Sequence, residues 1–251
     1  NNMKIVYMGT PDFAVAPLKA LIENGYDVVG VFTQPDKPVG RKHIITPPPV
    51  KVCAVENNIP VYQPNTFKDG EAEKILKDIN PDIIVVVAYG KILPKSILDI
   101  PKYGCVNGHA SLLPKYRGAS PIHFAVLNGD EVTGVTAQQM DIGIDTGDIL
   151  MTETMIIPDD MNAGELFDVL SEMGANVLMK TIDSVKNGKL NPVKQDDSKS
   201  TYASMLSKEL SPIDWNLTAK EVHNKIRGLA PFPGAFCIHN EKMLKLCESR
   251  I

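Results

Sequence analysis

The stretch at residues 82–88, DIIVVVA, constrains the fold more than any other part of the sequence. Its apolar, mostly β-branched residues follow one another without alternation, which predicts a strand buried on both faces. Such a strand occupies the centre of an α/β sheet. A second apolar stretch, KIVYMG at residues 4–9, predicts another buried strand. Thr10 behind it suits a helix N-cap, and Pro11 suits the first helical position.

The rest of the chain predicts strands and helices in alternation. Further strands are expected at residues 27–34, 60–62, 134–140 and 149–157, and helices at 50–57, 71–79, 121–128, 162–187 and 218–228. This order predicts an α/β fold with a Rossmann-like, doubly wound and mostly parallel sheet. A dinucleotide site would need three glycines after the first strand, and only Gly9 is present, so no NAD site is predicted.

Composition narrows the class of protein. The chain has 251 residues, of which 43% are hydrophobic, and a formal net charge of −4, which argues against a surface covered by nucleic acid. The cysteines form no CxxC pair and no cluster with histidine, so we expect buried free thiols and no metal site. We find neither a signal-peptide pattern nor an apolar run of membrane-spanning length, and therefore expect a cytoplasmic protein without membrane contact.

A basic segment lies at residues 35–51, PDKPVGRKHIITPPPVK. Its five prolines predict an irregular loop over most of its length. Its charged residues are Lys37, Arg41, Lys42 and Lys51 against Asp36. An excess of positive charge beside the carboxyl end of a sheet suits phosphate contact, whereas the alternative is a solvated surface loop.

The stretch at residues 106–122, VNGHASLLPKYRGASPI, carries the first candidate site. Asn107 and His109 point to the same face if a strand continues through them. An amide and an imidazole on one face can stabilise an oxyanion and move a proton. Pro114 and Gly118 then predict a loop. The alternative is a strand end at which the two side chains only cap a turn.

A turn rich in carboxylates lies at residues 141–148, DIGIDTGD. One of its three aspartates could orient His109, but the sequence alone does not choose among them. A calcium loop is the rival interpretation, and it is disfavoured because Thr152 occupies the twelfth position when counting starts at Asp141.

Four segments in this order resemble the folate-dependent formyltransferases, and among them most closely the methionyl-tRNA formyltransferases. They are MGTPDFAV at 8–15, AYGKILP at 88–94, the stretch at 106–122 and QMDIGIDTGDIL at 139–150. The resemblance extends over nearly the whole chain. It implies transfer of a formyl group from 10-formyltetrahydrofolate to the amino group of initiator methionyl-tRNA, by a cytoplasmic monomer that needs no metal.

The resemblance also implies residue roles. Asn107 and His109 would stabilise the oxyanion, and Asp145 would be the aspartate that assists them. The folate would contact Tyr89, Gly90, Ile92, Leu93, Ser111, Leu112, Leu113, Pro114, Asp141 and Gly143. The tRNA would contact Lys37, Arg41 and Lys42.

The implied domains are a catalytic Rossmann-like domain at residues 1–189, a linker at 190–206 and an incomplete tRNA-binding β-barrel of the OB type at 207–251. Gly108 departs from the resembled family, which usually has an apolar β-branched residue between the asparagine and the histidine. Because glycine loosens a strand end, we expect a less rigid pair here and a higher turnover in a Gly108→Val variant.

Three other functions remain open. They are formylation of a sugar-nucleotide amine, hydrolysis of 10-formyltetrahydrofolate, and tRNA binding without catalysis. The basic segment and the DWNLTA stretch at 214–219 favour tRNA over sugars. The intact Asn107, His109 and Asp145 favour an enzyme over a binding module.

Overall fold

The computed structural model describes residues 2–251 and has a seven-stranded sheet at its centre. The strands are β1 (Lys4–Gly9), β2 (Asp27–Phe32), β3 (Lys37–Val39), β4 (Ile44–Thr46), β5 (Val61–Tyr62), β6 (Ile83–Val87), β7 (Cys105–His109), β8 (Arg117–Gly118), β9 (Val132–Gln139), β10 (Asp148–Ile156), β11 (Tyr202–Ala203), β12 (Ala235–His239) and β13 (Lys242–Leu246). The helices are α1 (Val15–Glu23), α2 (Pro49–Glu56), α3 (Glu71–Ile79), α4 (Lys95–Leu98), α5 (Pro121–Leu127), α6 (Ala163–Lys186) and α7 (Ala219–Leu229).

The sheet order is β10-β9-β7-β6-β1-β2-β5. Strands β7, β6, β1, β2 and β5 run parallel, while β9 and β10 form an antiparallel hairpin at one edge. The Rossmann-like, mostly parallel sheet predicted from the sequence is therefore confirmed. The chain leaves β1 towards β2 on one side and returns to β6 on the other, so the carboxyl ends of β1 and β6 flank a topological switch point, where open α/β sheets bind ligands.

Helices cover both faces of the sheet. One apolar cluster joins the sheet to α1, α2, α5 and α6, and a second joins it to α3 and α4. Every residue of β6 is buried, as its continuous apolar sequence requires. The longest helix, α6, begins at a capping box in which Asn162 Oδ1 accepts from Glu165 N at 2.8 Å and Glu165 Oε1 accepts from Asn162 N at 3.1 Å.

Two local predictions differ from the structure. Thr10 does not cap the first helix, because its hydroxyl donates to the carbonyl of Tyr89 at 2.8 Å across the switch point. A short 3-10 turn, Asp12–Ala14, precedes α1 instead. The basic segment is also more regular than its prolines suggested, since β3 and β4 form a hairpin in which Pro38 pairs with Ile45. A two-stranded ribbon has free edges, where a proline is tolerated.

The segment between α6 and α7 packs against β8 and β10. Val193 bridges to Ile149, and β11 pairs in parallel with β8. The region after it consists of α7 and the antiparallel hairpin of β12 and β13, which share a small apolar core with Ile213 and Ile226. None of the helices in residues 2–251 is long and apolar enough to cross a membrane.

The four cysteines are free, as predicted, but only two of them are buried. Cys53 and Cys105 are buried, but Cys237 is half-buried and Cys247 is exposed. Burial raises the pKa of the Cys105 thiol to about 12. The prediction that every thiol is buried is therefore wrong for the last two, because they lie in and beyond the solvent-facing β12–β13 hairpin.

Gly9 provides a stability test of the switch point. A Cβ added to it would lie 2.7 Å from the carbonyl oxygen of Val87 and 2.8 Å from Cβ of Ala14. We expect Gly9→Ala to lower the free energy of unfolding by about 1–3 kcal/mol, because backbone and a short side chain cannot move aside. Gly174→Ala in α6 meets nothing within 4 Å and should raise it by about 0.5–1 kcal/mol. Urea unfolding measures both, and equal effects would contradict the close approach at Gly9.

Candidate active site

The antiparallel pairing of β7 with β9 places four polar side chains on one face of the sheet. Asn107 pairs with Gln138, and His109 pairs with Thr136. Residues opposite each other in a sheet share a face, and residues two apart in a strand do so too. Asn107 and His109 therefore point the same way, on the side away from the sheet face where Gly108 meets Leu178 of α6.

His109 is held by two neighbours. It is 7% exposed, and its Nε2 lies 2.7 Å from the carbonyl oxygen of Tyr116. A carbonyl only accepts, so Nε2 carries a hydrogen. The other ring nitrogen, Nδ1, lies 3.6 Å from Oδ1 of Asp145, which is longer than a hydrogen bond and within the range of an ion pair. His109 thus braces the turn at Tyr116 and still directs one nitrogen at a carboxylate.

Asp145 is the aspartate of the turn that approaches His109. Its Oδ2 accepts from Gly118 N at 2.8 Å, and its Oδ1 accepts from Gln138 Nε2 at 2.9 Å. Asp141 has another role, because its Oδ1 accepts from Gly143 N at 3.0 Å and from Thr146 Oγ1 at 2.6 Å. It stabilises the turn itself. Of the three aspartates in the turn, Asp145 is therefore the one within ion-pair distance of His109.

We call the region at the carboxyl ends of β1, β6 and β7 the crevice. Tyr89 presents only its main chain towards it. Its ring is 2% exposed and packs in the apolar cluster of α3 and α4, and burial raises the pKa of its hydroxyl. Within residues 2–251 that hydroxyl has no hydrogen-bond partner. The carbonyl oxygen of Tyr89 accepts from Thr10 Oγ1 at 2.8 Å and from Gln34 Nε2 at 3.2 Å. A folate contact from this residue would have to come from its backbone.

The residues after β6 offer free main-chain groups. Gly90 has a φ of 85°, a left-handed conformation that favours glycine. Ile92 is 74% exposed, whereas the side chain of Leu93 is buried. Within residues 2–251 the main-chain N–H and C=O groups of Ile92 and Leu93 make no hydrogen bond. A planar ring with donors and acceptors along its edge could pair with such groups.

The turn at Ser111, Leu112, Leu113 and Pro114 is held from β9. Thr136 Oγ1 donates to the carbonyl oxygen of Ser111 at 2.7 Å and accepts from Leu113 N at 3.2 Å. The other predicted folate residues, Asp141 and Gly143, lie in an exposed turn. The structure thus places the predicted folate residues in three separate segments, after β6, after β7 and after β9.

The basic hairpin has a neutralised base and a charged tip. Lys51 Nζ lies 3.0 Å from Oδ1 of Asp36, so these two charges compensate each other. Lys37, Arg41 and Lys42 are exposed and carry the excess positive charge. The hairpin follows the carboxyl end of β2, which is the same edge of the parallel strands as His109 at the end of β7.

Four of the buried polar residues, which hold the segments around Asn107 and Asp145, were missed from the sequence: Thr136, Gln138, Arg117 and Gln195. Thr136 and Gln138 could have been found, because they alternate on the strand predicted to follow the motif. Gln195 lies in a polar segment without periodicity, and no sequence signal marks it. No group of three or more histidine, cysteine, aspartate or glutamate side chains suited to a metal ion occurs in residues 2–251.

The space next to Gly108 is filled by the side chain of Leu178. A Cβ on it would lie 3.2 Å from Cδ1 and 3.5 Å from Cγ of Leu178. The strand end is therefore braced by the helix side chain. The two γ-carbons of a valine would have to displace Leu178. Gly108→Val can therefore raise turnover only if α6 moves enough to make room for them.

Family models match most of the chain. Residues 3–182 match the model for formyl transferase, and residues 205–251 match the model for the formyl transferase C-terminal domain. A methionyl-tRNA formyltransferase of Clostridium novyi (strain NT) is 54% identical over 250 residues, covering 99% of this chain and 81% of that protein. One of Alkaliphilus oremlandii (strain OhILAs) is 49% identical over 249 residues, covering 99% of this chain and 80% of that protein.

Solved structures show the same fold at lower identity. A 4-N formyltransferase from Francisella tularensis superposes with a TM-score of 0.76 at 20% identity, covering 99% of both chains. An N-formyltransferase from Helicobacter canadensis, in complex with folinic acid and dTDP-3-aminofucose, has a TM-score of 0.73 at 25% identity and covers 98% of this chain and 87% of that one.

The contact between Gly108 and Leu178 can be tested by a double-mutant cycle. Gly108→Val should lower the free energy of unfolding by about 1–3 kcal/mol through overpacking, and Leu178→Ala by about 2–5 kcal/mol through a cavity. The double variant should be more stable than the sum of the two losses by about 1 kcal/mol or more, since each change relieves the other. Additive losses in urea unfolding would mean that the two residues do not share this space.

Proposed function

The chain belongs to the formyl transferase family, and from this membership and its crevice we propose that it transfers the formyl group of 10-formyltetrahydrofolate to the amino group of methionyl-tRNA. The observation that carries the proposal is the convergence of Asn107, His109 and Asp145. They come from two different segments, and the His109 Nδ1 to Asp145 Oδ1 distance is 3.6 Å. The roughly half-identical relatives support methionyl-tRNA as the acceptor.

Asn107 and His109 are proposed to stabilise the negative charge of the reaction. As the amine attacks the formyl carbon, the formyl oxygen becomes an oxyanion. Asn107 Nδ2 and the Nδ1–H of a protonated His109, the ring nitrogen that is not bonded to Tyr116, would donate hydrogen bonds to it. One donor aimed at an oxyanion typically contributes about 3–4 kcal/mol to lowering the barrier.

Asp145 is proposed to transfer the proton from the attacking amine to the folate nitrogen. Its carboxylate accepts hydrogen bonds from Gly118 N and Gln138 Nε2. It would orient the imidazolium of His109 and, through a water molecule, accept the proton that the attacking amine loses. The same proton would return to the folate nitrogen when its bond to the formyl carbon breaks. No side chain of the protein needs to form a covalent intermediate.

The donor is proposed to bind along three segments, those that follow β6, β7 and β9. The unpaired main chain of Ile92 and Leu93 fits the edge of a pteridine ring, and Gly90 allows the sharp turn before them. The turn at 111–114, held by Thr136, would form the adjacent wall. Asp141 and Gly143 would contribute through their turn, and Tyr89 through its backbone.

Lys37, Arg41 and Lys42 are proposed to bind the acceptor end of the tRNA. They are exposed on a hairpin whose base is fixed by the Lys51–Asp36 pair at 3.0 Å. The region at 207–251 is proposed as a second tRNA contact, joined by the linker at 190–206 to the catalytic domain at 1–189. A cytoplasmic monomer that uses no metal and does not touch the membrane fits this role in translation initiation.

A formyl-transfer assay tests the proposal. With labelled 10-formyltetrahydrofolate, we expect product with methionyl-tRNA and none with an amino-sugar nucleotide or without an acceptor. Asn107→Ala should lower kcat by about 100- to 1,000-fold, because it removes an oxyanion donor. Product with the sugar nucleotide alone would support the sugar formyltransferase alternative that the fold neighbours suggest. Folate breakdown without acceptor would indicate a hydrolase, and binding of tRNA without any turnover would indicate an inert binding module.

The role of the hairpin can be measured through salt dependence. The double variant Arg41→Ala and Lys42→Ala should weaken tRNA binding and reduce the slope of log K against log salt by roughly 1 to 2, because phosphate contacts are lost. Its matched control is Lys74→Ala with Lys77→Ala, which removes two exposed positive charges from α3. Equal slopes for the two double variants would contradict a phosphate-binding hairpin.

A further inference from the structure

Gln195 links two loops of the crevice from within the linker. It is 6% exposed, and its Nε2 donates to the carbonyl oxygens of Asp145 at 2.9 Å and Gly147 at 2.7 Å. Its Oε1 accepts from Nε and Nη2 of Arg117 at 3.1 and 2.9 Å. A side-chain amide has two donor hydrogens and two acceptor lone pairs, so its capacity is fully used.

Gln138 links the same loop to the strand that carries Asn107. It is 2% exposed, and its Oε1 accepts from Gly147 N at 3.1 Å. That bond decides which way the amide faces, because a backbone N–H can only donate. Its Nε2 is therefore turned towards Oδ1 of Asn107 at 3.2 Å and Oδ1 of Asp145 at 2.9 Å.

This chain of bonds sets the direction of the Asn107 amide. Because Oδ1 of Asn107 accepts from Gln138, its Nδ2 is the end that remains to donate to a reacting oxygen. An amide facing the other way would present an oxygen to the developing oxyanion and would oppose the reaction. The backbone N–H of Gly147 thus fixes, through Gln138, which atom Asn107 offers to the substrate.

Asp145 requires such support from its surroundings. Its φ is 55°, in the left-handed region that non-glycine residues rarely occupy because of backbone strain. Gln195 holds its carbonyl group, while Gln138 and Gly118 hold its carboxylate. Gly118 follows Arg117, the residue that Gln195 also binds, so one side chain fixes both loops.

We infer that Gln138 and Gln195 are positioning residues for formyl transfer, which together fix the direction of the Asn107 amide and the place of the Asp145 carboxylate. The inference rests on the proposed function. Because Gln195 lies in the linker, the linker would help to position the site residues as well as connect the domains.

Gln139 provides a matched control on the same strand. Its Nε2 donates to the carbonyl oxygens of Tyr103 and Cys105, both at 3.3 Å, on the side of β9 away from the crevice. Gln139→Met therefore removes two hydrogen bonds to carbonyls, as Gln195→Met does, without touching Asn107 or Asp145. A purely structural role for the crevice glutamines predicts similar kinetics for all three variants.

Steady-state kinetics of the full chain is the first test. We expect Gln138→Met and Gln195→Met to lower kcat by about 10- to 100-fold, the scale for a displacement of order 1 Å, with both KM values changed less than about threefold. Gln139→Met should keep kcat within about twofold. Equal kcat values for the Gln138 and Gln139 variants in an active enzyme overturn the inference and leave the proposed function standing.

The pH profile of Gln138→Glu adds a readout that a structural role would not move. The groups facing this position are Asp145 and, beyond it, His109. An ionised carboxyl there cannot donate to Asp145, but a protonated one can. The activity of this variant relative to the unaltered protein should therefore rise as the pH falls, and a constant ratio counts against the inference.

An activity-independent readout separates the two proposals. In NMR spectra, the backbone amide signal of Gly118, which donates to Asp145, should shift in Gln138→Met and Gln195→Met and stay in place in Gln139→Met. An unmoved Gly118 signal overturns the positioning role whatever the activity. Absence of formyl transfer by the unaltered protein to any acceptor overturns the proposed function instead, and the NMR comparison then still shows whether the two glutamines hold the Asp145 carboxylate in place.

Discussion

The antiparallel pairing of β7 with β9 is the constraint on which the crevice depends. It places Gln138 opposite Asn107 and Thr136 opposite His109, all on one face. The parallel part of the sheet brings β7 to the switch-point edge, and the reversal at β9 brings the Asp145 turn back over the same strand. A slip of this register by one residue would turn Asn107 and His109 into the sheet face that α6 covers.

Strand β7 carries Asn107 and His109, the turn before β10 carries Asp145, and buried uncharged side chains hold the neighbouring turns in place. Thr136 holds the turn after β7, Gln138 holds the Asp145 carboxylate, and Gln195 holds the Asp145 backbone. None of these three side chains is charged, so each can be buried at little cost once its hydrogen bonds are made. Gln195 lies between α6 and α7, so the segment that leads to the C-terminal region also contacts the Asp145 turn.

The fold could be predicted from the sequence, for identifiable reasons. The unbroken apolar run at β6 and the strand–turn–helix at β1 defined a parallel sheet, and α3 was predicted at its observed bounds. Asn107 and His109 could be paired because strands have a period of two. Asp145 could not be chosen by spacing, since its approach to His109 depends on a left-handed residue within a turn. Gln195 could not be predicted either, because a polar segment gives no sign of where it packs.

A crystal structure of the protein with 5-formyltetrahydrofolate, a stable isomer of the proposed donor, would test the arrangement most directly. We predict that the pteridine edge pairs with the main chain of Ile92 and Leu93, and that Asn107 Nδ2 and His109 lie nearest to the bound formyl group. Oδ1 of Asn107 should still accept from Gln138. A folate bound away from β6 and β7, or an Asn107 amide that presents its oxygen to the formyl group, would contradict the proposed chemistry.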